Sequence, residues 1–128
     1  GREVAIKRVL DGSEPSARAE MMEEAQIWSQ LSHKRIVHFF GAAHSNGDDF
    51  LITEVLTGGA LHHLLHVRRT PPAVPSGLGL CQQICEAAGY LHGLAPQVVH
   101  RDFKSMNVVL DLHMNAKICD FGLAVVVP

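Results

Sequence analysis

Cysteine is scarce in this chain: three among 128 residues, none in a Cys-x-x-Cys pair. So few thiols, in an odd number, exclude a disulfide-stapled scaffold and read as free thiols in a reducing compartment. An excess of one charge is missing too, since eleven Lys+Arg against thirteen Asp+Glu leave a formal net charge of −2. Without a Lys/Arg block, the sequence predicts neither a nucleic-acid partner nor a membrane-surface patch. No apolar run is long enough to span a bilayer, and the first residues are not patterned as a signal peptide. The expectation is a cytoplasmic protein, or the cytoplasmic domain of a longer one. No internal repeat is visible, and neither end carries a capping signal or a polar tail, which predicts a piece of a longer domain.

What is present is an apolar fraction of 47% beside 19% charged residues, the balance of a globular chain with one modest core or two small lobes. Residues 3–10 read as a strand ending at the Asp11-Gly12 turn, with Ala5 and Lys7 on one face and Val4 and Ile6 on the other. Residues 15–31 read as a helix with Pro15 in its first turn and Met21, Glu24, Trp28 and Leu31 on one face. Two strands, 36–43 and 49–56, are expected on either side of Ser45-Asn46-Gly47-Asp48, a hairpin-turn composition. A short helix is expected to hold Leu61, Leu64 and Leu65, followed by a proline-containing loop from Arg68 to Gly79. A second helix is expected from about Leu80 to Leu94, with Leu80, Ile84, Ala87, Ala88 and Leu91 inward. Strand-sized pieces follow at Val98-Val99, Val108-Val109-Leu110 and Ala116-Lys117-Ile118.

Three short strings carry chemistry. Lys7 alone reads as a solvent-facing lysine on an edge strand. Glu24, from the middle of an apolar helix stripe where an unpaired charge is costly, supplies the partner that would hold its ammonium where phosphates arrive. Asp102 follows His100-Arg101 on a loop, where a carboxylate is ordinarily a turn residue. With Lys104 and Asn107 close behind, it becomes a candidate proton acceptor beside a charge-neutralising lysine and an amide-oxygen metal ligand. Asp120, thirteen residues after Asn107 and at the end of the 116–119 strand, offers a carboxylate for a hard cation, with Phe121 an inward anchor and Gly122 letting the backbone turn. His100 reads as a packed structural histidine, and Cys119 as a small buried hydrophobe, with a pocket-facing thiol as the alternative. His62 and His66 have the i, i+4 spacing that can ligate zinc, but no third ligand is evident; a partly solvated helix face is the reading, with a His-rich metal-binding protein as a rival.

Val4-Ala5-Ile6-Lys7, His100-Arg101-Asp102-Phe103-Lys104-Ser105-Met106-Asn107 and Asp120-Phe121-Gly122, in this order, resemble part of a eukaryotic protein kinase domain. Leu31-Ser32-His33, Ile36-Val37, Gly41-Ala42 and Phe50 to Leu56 resemble the same family. The resemblance implies an α+β, bilobal fold, truncated: a partial small lobe over 1–54, a hinge over 55–59, and the start of the helical lobe over 60–128. It implies that Lys7 binds the α/β-phosphates of ATP and pairs with Glu24, that Asp102 is the catalytic base, and that Asn107 and Asp120 hold Mg²⁺. Thr53 would guard the back of the nucleotide pocket, the Glu54 carbonyl and Leu56 amide would bond the adenine edge, and Ala5 and Val109 would sandwich the ring. Trp28, Phe39, His100 and Phe121 fall where the family stacks its regulatory hydrophobic column, and Arg101 where a phosphorylated activation loop docks. Lys104 is similar to serine/threonine kinases; Gly58-Gly59-Ala60-Leu61 and the run 116–124 lean towards the tyrosine-kinase-like branch. The implied partners are ATP and a protein Ser/Thr hydroxyl.

The pattern is incomplete. The family's Gly-rich phosphate loop lies upstream of these residues, and Gly77-Leu78-Gly79 does not replace it. The activation loop and the large helical remainder would follow Pro128. The expectation is an incomplete sheet with an open edge and a fragment that phosphorylates nothing efficiently alone. The alternative is a non-catalytic, pseudokinase-like signalling module.

Overall fold

Alternation and turn chemistry build the first sheet. The computed structural model describes residues 2–128. Its β1 (Val4–Val9) and β3 (Asp48–Glu54) pair antiparallel from Val4 opposite Glu54 to Val9 opposite Asp49, and β2 (Phe39–Ser45) pairs with the other edge of β3. Asn46 and Gly47 both take positive φ, 52° and 83°, which is the twist a two-residue hairpin loop requires. Between β1 and β2 runs α1 (Pro15–Trp28), which lays Met21, Glu24 and Trp28 against the rest of the molecule. Proline is tolerated in its first turn because those backbone N–H groups have no intrahelical acceptor.

The strand expected over 36–43 begins only at Phe39. Ile36 and Val37 instead pair in parallel with β7 (Ala116–Ile118): the Val37 N–H donates to Ile118 O at 3.0 Å, and the Ile118 N–H to Arg35 O at 2.8 Å. The segment after α1 is therefore bonded to the second half of the chain.

That half is built on α2 (Val74–His92). It starts well before the expected Leu80, with Pro75 in its first turn and Gly77 and Gly79 inside it; the prolines mark a helix start, not a loop through Gly79. Residues 63–67 form a wide π-type turn in place of an ordinary short helix, closed by the Arg68 N–H on His63 O. Short strands complete the architecture. The pair β4 (Gly59–Ala60) and β6 (Val108–Leu110) forms a small antiparallel sheet with β7, while β5 (Gln97–Val99) pairs with β8 (Val125–Val127). Neither β4 nor β8 is anticipated by the pattern, because each pairs with a partner distant in sequence.

One core runs through both halves. Trp28, Leu31, Ile36, Val37 and Leu51 meet Leu80, Ala87, Leu91, Val98, Leu110, Ile118 and Phe121 in a continuous buried cluster. Among the described residues, no helix is long and apolar enough to cross a membrane.

Candidate active site

Lys7 leaves the middle of β1 and its ammonium reaches Glu24 Oε1 of α1 at 2.8 Å. Glu24 is only 2% exposed. Its second oxygen accepts the Phe121 backbone N–H at 3.2 Å, so a buried carboxylate that would be costly unpaired has both oxygens satisfied. Partial burial disfavours the charged Lys7. The hydrogen bond and charge of Glu24, with the charges of Asp120 and Glu20, outweigh it and hold the ammonium above the ordinary lysine range.

These groups face a cleft of about 400 Å³ between the first sheet and the second half of the chain. Ala5, Lys7, Thr53, Glu54, Leu56, Val109 and Asp120 all line it, as does Glu24. Trp28, Val37, Leu51 and Cys119 line it as well. Cys119 is thus not simply a buried hydrophobe: it borders the cleft, and burial plus the charges of Asp120 and Glu24 push its thiol up to about 11. A second cavity of about 410 Å³, between the end of α1, Pro96 and β8, has no acidic, basic or histidine lining, in contrast to the charged cleft.

Asp102, Lys104 and Asn107 form an adjoining group. The Asn107 amide Nδ2 donates to Asp102 O and Oδ2, each at 3.0 Å, and Lys104 Nζ lies 3.4 Å from Asp102 Oδ1. The Cys119 N–H donates to Asn107 O at 3.0 Å, which sets Asp120 beside this loop. His100, 1% exposed, is held at both nitrogens: Nδ1 accepts the Asp102 N–H and Nε2 donates to Cys119 O. His100 is packed, as the sequence reading expects. Arg101 donates through Nε to Leu123 O at 2.7 Å.

The expected aromatic column is continuous. Ring centroids lie 6.2 Å apart for Trp28 and Phe39, 5.0 Å for Trp28 and Phe121, and 5.0 Å for His100 and Phe121. The tripeptide turns as expected, Gly122 lying in the turn closed by the Ala124 N–H on Phe121 O at 3.1 Å. The left-handed residue is Asp120, at φ 61°. At Gly122 a Cβ would sit 3.1 Å from Asp120 Oδ1, a tight contact, and 3.8 Å from both Glu24 Oε1 and Lys7 Nζ, in ordinary contact. No short sequence signal announces the left-handed Asp120. The His62 and His66 rings do approach to 4.6 Å, but among the described residues no group of three potential ligands surrounds them.

A three-stranded antiparallel sheet with one helix, set over a partly helical second half with a charged cleft between, defines the class: a truncated bilobal kinase fold. The chain belongs to the protein tyrosine and serine/threonine kinase family, whose pattern matches residues 1–127. It is 38% identical over 97% of its length to a probable serine/threonine-protein kinase of Dictyostelium discoideum. It is 36% identical over 94% to wall-associated receptor kinase-like 21 of Arabidopsis thaliana, and 33% identical over 97% to the serine/threonine-protein kinase CTR1 of the same plant. The chain spans 14%, 20% and 16% of the length of these three relatives.

Proposed function

We propose that the chain is the nucleotide-cleft and catalytic-loop portion of a serine/threonine protein kinase, which transfers the γ-phosphoryl group of ATP to a protein hydroxyl. The observation that carries this reading is the 2.8 Å Lys7–Glu24 pair lining one cleft with Asp120. A lysine kept charged in a partly desolvated cleft is a phosphate ligand. Ala5 and Val109 provide apolar walls for the base, Thr53 the back wall, and Glu54 O and the Leu56 N–H its polar edge. Residues 55–59 act as the hinge between a small lobe, 1–54, and the start of the larger one, 60–128.

The donor set fits a hard divalent cation. Asn107 spends its amide hydrogens on Asp102, and Asp120 uses Oδ1 for the Gly122 N–H at 3.0 Å. That leaves the Asn107 amide oxygen and Asp120 Oδ2 as oxygen donors for Mg²⁺. Bound there, Mg²⁺ supplies neutralisation of the phosphate charge. Asp102, held in orientation by Asn107 Nδ2, accepts the proton of the attacking hydroxyl as its oxygen bonds to the γ-phosphorus and the bond from that phosphorus to the β-phosphate's bridging oxygen breaks, ADP leaving with that electron pair. Lys104, 3.4 Å from Asp102, places a positive charge beside the transferring group and favours the Ser/Thr class.

The test uses the full-length protein that carries this domain. Asp102→Asn keeps the side-chain shape and removes the proton acceptor. The expected result is a fall in phosphate transfer on the order of 100-fold or more, with nucleotide affinity nearly unchanged. An undiminished rate rejects the base assignment. No transfer by the wild-type protein, with nucleotide still bound, favours the non-catalytic signalling module.

A further inference from the structure

The structure assigns to Arg18 a positioning role: it sets the placement of α1, and through α1 the meeting of Glu24 with Lys7. This inference rests on the functional reading of that pair. Arg18 lies in the second turn of α1 and reaches out to the two turns at the far end of the sheet. Its Nη1 donates to Asp49 Oδ2 at 2.9 Å, its Nη2 donates to Gly47 O, and Nη2 also lies 3.6 Å from Asp11 Oδ1. Asp48 draws the same turns together by accepting the Asp11 N–H at 2.6 Å and Arg8 Nε at 2.9 Å. The approach is close enough to demand glycine at position 47, where a Cβ would lie 2.5 Å from Asp11 Cγ. The β1–α1 connection, the β2–β3 turn and α1 are thus tied in one charged knot.

α1 depends on that knot because its N-terminus has no other polar anchor of its own. Glu14 at the N-cap makes no side-chain cap bond, and the first turn carries no acidic residue. The opposite end is held by Trp28 Nε1 donating to Val37 O at 2.8 Å. Glu24 sits between these two anchors, about 9 Å along the axis from Arg18. If the N-terminal anchor is released, α1 pivots about Trp28 and swings Glu24 away from Lys7. Arg18 itself is absent from the cleft lining, so it acts through the helix alone.

The experiment compares wild type, Arg18→Gln, Arg18→Lys and Asp49→Asn in the full-length protein. Two readouts are taken: the pH dependence of Lys7 acetylation by acetic anhydride, followed by mass spectrometry, and the split of kcat from KM for ATP. Arg18→Gln should shift the Lys7 acetylation profile to lower pH and cut kcat/KM for ATP at least tenfold. Arg18→Lys, which keeps a cationic donor facing Asp49 and Gly47 O, should recover both at least partway to wild type. Thermal melting of each variant establishes that it is folded; Asp49→Asn, for which the Arg18→Gln outcome is expected, decides the matter where Arg18→Gln does not fold. An unchanged Lys7 profile in a folded Arg18→Gln or Asp49→Asn protein overturns the proposal, as does a folded Arg18→Lys no closer to wild type than Arg18→Gln. Because acetylation needs no turnover, a wild-type protein that transfers no phosphate defeats the functional reading while leaving this one decided by Lys7 alone.

Discussion

Glu24 is the residue on which most of the site turns. It is a buried carboxylate with one oxygen on the Lys7 ammonium and the other on the Phe121 N–H. Glu24→Gln removes the charge and weakens the hydrogen bond while leaving the burial, the influence that lowers Lys7. Lys7 then titrates lower and carries more free amine at a given pH, so its acetylation between pH 8 and 10 should accelerate severalfold by mass-spectrometric peptide ratio. The stability that the pair contributes is complete below about pH 10, the ordinary lysine range, and is lost as pH rises through the raised value. With Lys7 half exposed that contribution is modest. Cys119 offers a second residue-level check. A thiol pushed up to about 11 holds on the order of a hundredfold less thiolate at neutral pH than an ordinary one. Iodoacetamide should therefore label the exposed Cys81 and Cys85 well before Cys119. The lysine, the helix glutamate and the loop carboxylate were legible in sequence because motif spacing and one misplaced charge on an apolar stripe betray them. The second Glu24 bond and the left-handed Asp120 were not: the first joins a side chain to a backbone N–H 97 positions away, and the second is a backbone angle that no residue type there announces.

Among the elements, the stack of Phe39, Trp28, Phe121 and His100 draws a side chain from β2, from α1 and from the two loops flanking β6 and β7. Trp28 is one of its two inner members, 5% exposed, and its indole N–H is spent on Val37 O. Trp28→Ala should cost about 3–5 kcal/mol for the cavity, with the unmet Val37 carbonyl adding to the loss, read as a lower urea midpoint. Trp28→Phe should cost less, because it keeps a ring in contact with Phe121. If Trp28→Ala melts like the wild type, the column carries no stability. Periodicity found α1 because its buried face follows 21, 24, 28 without interruption. It placed the start of α2 late because Pro75, Gly77 and Gly79 read as breakers, although proline in a first turn costs nothing and α2 buries Leu80, Ala87 and Leu91 in compensation. The strand β8 was invisible for a different reason. Three valines in a row have no period of two, and their partner strand lies 28 positions upstream.

At the scale of the whole molecule, the two halves meet through the core, the 35–37 pairing with β7, and charge. Lys117 of β7 grips Glu54 at the end of β3 at 2.5 and 2.9 Å, joining one half to the other. Three carboxylates, Asp48, Glu86 and Asp111, are held below their usual range, each by a different part of the fold. The Asp11 N–H and Arg8 lower Asp48 at the far end of the sheet. Arg35 lowers Glu86, tying the segment after α1 to α2. The Asn115 N–H, with its side chain and the His113 N–H, lowers Asp111 in the turn between β6 and β7. A carboxyl whose folded pKa is depressed contributes stability that is present above its unfolded value and lost as pH falls through the folded one. Acid should therefore weaken the sheet end, the junction and the lower turn together, and the urea midpoint should drop steadily below about pH 4. Asp48→Asn should be less stable than wild type at pH 7 and converge with it at pH 2, whereas an exposed control such as Glu3→Gln should track wild type throughout. Parallel curves for Asp48→Asn and wild type across that range would show that the Asp48 tie between β1 and the β1–α1 connection gains nothing from its charge, while the Arg18 bonds to Asp49 and Gly47 O would still hold α1.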